Sequence, residues 1–363
     1  QIALLKQLHE VNQNIVGVYL GGSVVNLSME HDYLKGLLIA YLGGQGTARA
    51  IFDLLYGQDN PSGRLAETWI DDIKQCNVQL THHNHAVYYD ESIYIGYRYY
   101  QSYNQKPHYP FGYGLSYTTF EYKNIDVQQN EKSFLVSMDI TNTGHIKGKE
   151  VVQIYIGNNR SETYKARREL KAFEKIEVLP KETKHITMEL NKQAFAHWDI
   201  YKKRWVVEEG DYTIVVGKNA CDEIESIDVH VDGETIHTST LSYKKYTYDT
   251  SDFAKLIPFE LPELSIKKRR PYTLSSTLED ASHTMLGRMV AKIVMKEATK
   301  QTKNMSHDMV EIAKKTMMET PIQMLVLFSA GQVSFDMGEG LVDIMNGKVF
   351  KGLKKLKKKT ENK

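Results

Sequence analysis

At 363 residues the chain is longer than one hydrophobic core ordinarily organises, so two or three domains are expected. Its composition, 41% hydrophobic and 25% charged, is that of an ordinary globular protein, and a net charge of +1 gives no electrostatic case for nucleic acid. No run reaches the roughly 18 apolar residues of a membrane-spanning helix. No signal-peptide pattern opens the chain, and Cys76 and Cys221 stand in no metal or redox spacing, which fits a reducing compartment or indifference to redox; a cytoplasmic setting is expected, and a Cys76–Cys221 disulfide is the minor alternative.

The chain opens inside a helical pattern. Ile2, Leu5 and Leu8 recur at every third position, and Leu4 and Val11 widen the stripe. The first residue is Gln1 and no cap precedes the helix, so the sequence reads as cut from something longer. Residues 1–70 read as α/β. Residues 14–20 form a nearly continuous apolar run ending in Gly21-Gly22-Ser23, as a buried parallel strand ends at a loop. Residues 37–42 repeat the pattern before Gly43-Gly44-Gln45-Gly46. A helix follows with Ala48, Ile51, Phe52 and Leu55 on one face. Asn60-Pro61-Ser62-Gly63 signals a turn, and residues 65–69 are expected to add a short strand. Two or three strands are fewer than a sheet covered on both faces ordinarily has.

Residues 88–122 hold eleven of the 23 tyrosines. Within them Pro110-Phe111-Gly112-Tyr113-Gly114-Leu115-Ser116-Tyr117 alternates small and aromatic residues, the pattern of a packed connector between modules. From about Phe120 to Asp232 the period becomes two. Phe134, Val136, Met138 and Ile140 alternate with polar residues. Val151, Gln153 and Tyr155 interleave with Val152, Ile154 and Ile156, and Ile186, Met188 and Leu190 alternate again. Residues 205–216 read as strand, turn, strand with Trp205 in a strand core, and Ile227, Val229 and Val231 close the set. About seven short strands predict a β-sandwich. Residues 233–275 read as an extended linker, and 276–363 as a helical extension. There Leu286, Met289, Val290 and Ile293 share a predicted face, as do Met309, Ile312 and Ala313. Pro321 starts a new element, 334–346 a further helix, and residues 348–363 carry eight lysines against one glutamate.

Few segments suggest chemistry of their own. Gly43-Gly44-Gln45-Gly46 lies where phosphate loops lie but lacks their lysine and spacing, so it reads as a tight strand-to-helix turn. His82, His83 and His85 crowd a loop with no Cys, Asp or Glu completing a metal spacing. Asp90 and Glu91 are adjacent carboxylates. In a strand they would face opposite ways, so Glu91 reads as the partner of Arg98 or as a turn cap. Ser23 and Ser62 lie outside any nucleophile-elbow motif. Val349, Phe350, Leu353 and Leu356 with interspersed lysines predict a short amphipathic helix docking one apolar stripe.

Taken together the motifs resemble the C-terminal part of glycoside hydrolase family 3, the β-glucosidase and β-xylosidase type. Four blocks carry the resemblance in order. They are Tyr41-Leu42-Gly43-Gly44-Gln45-Gly46 with Gly57-Gln58-Asp59-Asn60-Pro61-Ser62-Gly63-Arg64-Leu65, and Tyr89-Asp90-Glu91-Ser92-Ile93-Tyr94-Ile95-Gly96-Tyr97-Arg98-Tyr99-Tyr100. The third is Pro110 to Phe120. The fourth lies in the sandwich: Thr141-Asn142-Thr143-Gly144, Gly148-Lys149-Glu150-Val151-Val152-Gln153-Ile154-Tyr155 and Glu169-Leu170-Lys171-Ala172-Phe173-Glu174-Lys175. Two departures stand out: Gly46-Thr47-Ala48 follows Gln45, and Ser92 replaces a usual glycine.

The resemblance implies an incomplete α/β sandwich domain with the aromatic connector over residues 1–118, then an all-β fibronectin type III-like sandwich over 119–232. The linker at 233–275 and the Lys-rich helical region at 276–363 follow; the latter resembles an extension of some bacterial members. In the family an aspartate nucleophile sits on a (β/α) barrel, and in many members an acid/base glutamate lies shortly before the helix that opens this chain. No position here matches either one, so no catalytic, cofactor-binding or metal-binding residue is carried over, and no cofactor is expected. Retaining hydrolysis needs both carboxylates, about 5–5.5 Å apart. The chain is therefore expected to be the C-terminal portion of a β-glucosidase-like hydrolase, inactive alone. Its expected partners are a β-glucoside or related oligosaccharide and a barrel domain in cis or in trans. The alternative is a non-catalytic partner subunit, or a carbohydrate-binding module on the sandwich, from a split gene.

Overall fold

The structure is a computed structural model that describes residues 2–77, 89, 91–158, 161, 163–199, 201–236, 254–255, 259–260, 270–298, 307–329, 331 and 333–356. Two compact units are present, one containing residues 1–79 and 89–259, the other residues 80–88 and 260–363. His82, His83, His85 and Asp90 lie outside the described residues.

The first unit begins with helix α1 (Ile2–Val11), strand β1 (Val16–Tyr19), strand β2 (Gly36–Ile39) and helix α2 (Thr47–Leu55). The two strands pair in parallel, Val16 opposite Gly36 and Tyr19 opposite Ile39, as their apolar runs predict. None of these four elements contains a buried residue, and Leu4, Leu8, Val11, Val16, Leu20 and Phe52 are exposed. The strand expected at 65–69 does not form. Leu65 N–H donates to Tyr113 O, Gly112 N–H donates to Leu65 O, and Trp69 makes a lone bridge to Tyr109. This segment's backbone partners come from the connector, not from the sheet.

The connector carries a short helix, α3 (Tyr97–Ser102), and leads into the sandwich. Its strands are β3 (Phe120–Gln129), β4 (Ser133–Asn142), β5 (Gly148–Gly157), β6 (Arg168–Val178), β7 (Thr183–Asn191), β10 (Gly210–Gly217) and β11 (Glu223–Val231). Four of them form a sheet in the order β11-β10-β5-β6, and three form the facing sheet β3-β4-β7, all antiparallel. Alternate residues fill the core: Val136, Met138 and Ile140 from β4, Val152 and Ile154 from β5, Leu190 from β7 and Ile214 from β10. Such alternation is what packs two sheets face to face. Strand β5 departs from it because both of its faces are covered, so Gln153 and Tyr155 are buried as well. The sandwich also reaches past residue 232: Glu234 bridges Glu208, and its N–H donates to Val207 O.

A two-stranded hairpin, β8 (His197–Asp199) and β9 (Arg204–Val206), completes this unit. Trp205 is 57% exposed, contrary to the strand-core expectation. Its neighbour Val206 takes the inward position, because successive strand residues face opposite ways. Also inward, His197 lines a cavity of about 20 Å³ with Lys165, Glu169 and Tyr212. Lys165 is paired with Glu208 at 2.7 Å, and Ser161 and Thr163 donate to the same carboxylate oxygen.

The second unit is helical: α4 (Leu278–Ala281), α5 (Met285–Ala298), α6 (His307–Glu319), α7 (Ile322–Phe328), α8 (Phe335–Met345) and α9 (Val349–Leu356). Its core holds Tyr272, Leu278, Val290, Ala291, Ile322, Ile344 and Met345. Tyr272 was expected in the linker; its N–H donates to Asn346 Oδ1, which ties it to the bundle. The buried faces are rotated from those the sequence suggested. Helix α5 buries Gly287, Val290 and Ala291, while Met289 and Ile293 are exposed. The reason is close approach: a Cβ at Gly287 would collide with Ala281 O, so small residues face inward and the methionines outward. Helix α6 likewise exposes Met309 and Ile312. On α9 Gly352 packs on the Gly340 carbonyl and Leu356 of the expected stripe meets the core, whereas Phe350 and Leu353 point out.

Burial first, then the charge of Lys165, holds the His197 imidazole below its ordinary value of 6.5. The native ring is neutral near that pH, whereas the unfolded chain takes up a proton as pH falls through it. The unfolded state then binds more protons, so His197 erodes stability below about pH 6.5. His197→Phe is expected to lose less melting temperature between pH 7.5 and 5.5 than the wild type; equal losses would refute this role.

Candidate functional site

Ligands of open α/β sheets bind at the carboxyl ends of the parallel strands. In this chain that edge is aromatic. Tyr19 ends β1, and Tyr41 follows β2 with φ +47°. Both rings meet Trp69 edge-on, at 5.5 and 6.4 Å between centroids, and Trp69 Nε1–H donates to Tyr41 Oη at 3.2 Å. Trp69 is only 2% exposed. Its backbone holds 108–109, because His108 N–H donates to Trp69 O and Trp69 N–H to Tyr109 O.

From there the cluster continues outward. Tyr109 stacks on Tyr113 at 5.0 Å, and His31 stacks on His108 at 4.2 Å. The Tyr109 hydroxyl meets His31 Nδ1 at 3.2 Å, and His108 Nδ1 lies 2.8 Å from Asp71. Burial and then the neighbouring His108 lower the His31 pKa, while burial raises those of Tyr41 and Tyr109. The phenols thus stay protonated and His31 is neutral at pH 7. The cluster stacks and hydrogen-bonds among its own members, with Trp69 buried at its centre. Sequence reading missed this group. Its members are scattered over 90 residues in sequence, and the one usable signal was Tyr41 directly after an apolar strand.

The residues singled out from sequence fall elsewhere. Glu91 is buried, and its carbonyl accepts from Tyr94 N–H in a turn. The expected Glu91–Arg98 pair is absent: Arg98 lies 2.9 Å from Glu169 on β6. Gly44, at φ +68°, turns the chain between β2 and α2, and Thr47 Oγ1 donates back to its carbonyl. Among the described residues no cluster of three or more His, Cys, Asp or Glu side chains has a metal-binding arrangement.

What the structure does bring together is the four sequence blocks. Asn60 Oδ1 accepts from Ser116 Oγ at 3.0 Å and Tyr117 N–H at 2.8 Å, and its Nδ2 donates to Lys147 O. Arg64 pairs with Glu150 at 2.7 Å with both side chains nearly buried, and Tyr122 Oη donates to the other Glu150 oxygen at 2.8 Å. Gln153 Nε2 donates to Gly112 O and Lys218 O, and Tyr155 Oη donates to Gln153 Oε1. Gly112 has φ +81° and its missing Cβ leaves room for Gln153. Tyr97 stacks on Phe111 at 4.7 Å, and its hydroxyl accepts from Leu170 N–H. Together these contacts lock the α/β region and connector onto the outer face of β5.

Two substitutions probe this joint. Arg64→Ala leaves Glu150 buried and unpaired and is expected to cost about 3 kcal/mol in urea unfolding. A second change, Glu150→Gln, should recover part of the loss. Ser92 sits at φ +52°, in the left-handed region that suits glycine, the residue that the resemblance implies at this position. Ser92→Gly should therefore stabilise by roughly 0.5 kcal/mol, read as a small rise in melting temperature.

Comparison with known proteins places these features. Residues 1–117 match the Glycosyl hydrolase family 3 C-terminal domain, and residues 150–220 the Fibronectin type III-like domain. The chain is 34% identical to Thermostable beta-glucosidase B of Acetivibrio thermocellus, over 95% of this chain and 42% of that protein. It is 32% identical to an Exo-alpha-(1->6)-L-arabinopyranosidase of Bifidobacterium breve, over 84% of this chain and again 42% of the relative. Among solved structures, the Bifidobacterium adolescentis GH3 beta-glucosidase superposes with a TM-score of 0.61 at 29% identity, covering 80% of this chain and 39% of that one. The Beta-glucosidase from Kluyveromyces marxianus, in complex with glucose, gives 0.61 at 33% identity over 64% and 28%. The chain thus spans less than half the length of these relatives. It belongs to glycoside hydrolase family 3, and carries the family's C-terminal α/β region followed by its fibronectin type III-like domain.

Proposed function

We propose that this chain is the C-terminal portion of a bacterial β-glucosidase-like enzyme whose complete form removes terminal β-linked glucose or a similar pyranose. The observation that carries this reading is the contrast within the first unit. The sandwich has a closed core, while α1, β1, β2 and α2 bury no residue and expose Leu4, Leu8, Val11, Val16, Leu20 and Phe52. Apolar faces of this kind are covered in working proteins. The occupant is the rest of the α/β domain with its barrel, in cis or as a separate polypeptide. That part supplies the nucleophile and the acid/base carboxylate. This chain supplies the aromatic strand edge around Trp69 and the sandwich that braces it. Free thiols at Cys76 and Cys221 support a reducing, cytoplasmic setting, which cell fractionation tests.

Purified alone, the chain is expected to give no turnover of p-nitrophenyl β-glucoside or α-L-arabinopyranoside. Co-expressed with the N-terminal remainder of a relative, it should form a stable complex and restore activity on one of them. Turnover by the chain alone that Glu91→Gln abolishes would overturn the reading.

A further inference from the structure

Two of the three tryptophans face solvent side by side. In the β8–β9 hairpin Trp198 lies directly opposite Trp205. Alternation sorts the hairpin cleanly: His197, Asp199 and Val206 are buried, and the indoles point away, 48% and 57% exposed. Their rings meet edge to face at 5.9 Å. Tyr201, in the connecting loop, is 65% exposed.

The platform is held in place. Asp199 Oδ1 accepts from the Tyr201 and Lys202 N–H groups, both at 2.8 Å, and Lys203 N–H returns to Asp199 O. Arg204 grips Glu234 with two nitrogens at 2.8 and 2.7 Å, and Lys202 reaches the same carboxylate at 2.8 Å. These contacts pin the turn after β8 and the start of β9.

A pair of indoles left in water forgoes the large burial that tryptophan ordinarily provides. Patch size points to the class of ligand. Each strand has three residues, so the patch runs only about 10 Å. A stable protein interface takes about 800 Å² per partner, far more than one short hairpin offers. An oligosaccharide fits the scale and the chemistry. A pyranose lays a face of C–H bonds on an aromatic ring while its hydroxyls reach outward. The edge-to-face geometry lets one indole stack beneath a sugar ring and the other flank it.

We propose that Trp198 and Trp205, flanked by Tyr201, form a binding site for a neutral gluco-oligosaccharide on the fibronectin type III-like sandwich. The choice of sugar rests on the glycosidase reading of the chain. The site would hold a glucan chain against the protein.

The test is a titration of the full chain's tryptophan emission with cellotetraose. The double alanine variant keeps Trp69 as its one tryptophan and so separates that residue's signal from the hairpin's. Saturable binding is expected, weakened roughly tenfold or more in Trp198→Ala and in Trp205→Ala, and partly restored in Trp198→Tyr. Matching circular-dichroism melts establish that the variants fold. No saturable change in the wild type, or one that survives in the double alanine variant, overturns the proposal. So does a wild type that self-associates through the patch, becomes monomeric in the double variant, and binds no sugar. The assay reads binding without hydrolysis, so it separates from the enzyme reading. Binding without complementation sinks the enzyme reading alone, and complementation without binding sinks this one.

Discussion

The first unit depends on one buried charge pair. Glu150 lies 4% exposed on the strand that carries the sandwich core, a costly place for a carboxylate. It is tolerable only because Arg64 reaches in from the α/β region and Tyr122 donates from β3. A charge buried in one module and neutralised from another fixes their relation more tightly than apolar packing does, since a slip of a few ångströms would leave it unpaired. The glycines of the connector follow from the same closeness. Gly112 lies against Gln153, and Gly114 against the Gly63 carbonyl, with no room for a side chain at either.

The abundance of tyrosine acquires a reason in this setting. At the joint the phenols do two jobs, filling space and closing hydrogen bonds that would otherwise be orphaned. Tyr97 satisfies Leu170 N–H, Tyr117 satisfies Leu54 O, and Tyr155 satisfies Gln153. Burial pushes the Tyr100 pKa up to about 12 and raises those of Tyr122 and Tyr155 as well. The hydroxyls thus remain donors across the physiological range. Phenylalanine would pack as well but leave backbone groups unpaired.

Much of this architecture was legible in the residues. The alternation at 134–140 and the interleaved pattern of 151–156 announce strands; that β5 is covered on both faces emerges only from the structure. The parallel pair was readable because its runs are short, apolar and ended by glycine. Other features were not. The segment at 65–69 looks like a strand, but its backbone partners come from residues 108–113, far along the chain. Helix α5 misleads because methionine counts as apolar in a periodicity, while close helix contact selects Gly287 and Ala291. Trp205 misleads likewise: in a three-residue strand one position decides inside from outside, and its neighbour Val206 fills the inner place. The cluster around Trp69 has no linear pattern at all, since backbone pairing of 69 with 108–109 assembles it.

The joint also sets an order of events. A ribosome delivers the connector before it delivers β5, β6 and the Lys218–Ala220 turn that receive it. Leu65 and Trp69 are already present to pair with 108–113, but until those strands emerge Phe111 and Tyr97 lack Ala220 and Leu170, which receive them. The side of the tyrosine-rich segment that faces the sandwich is therefore completed by sequence that lies after it. A chain stopped between the connector and the sandwich would keep every residue of the α/β region and lack the surface that gives the connector its shape.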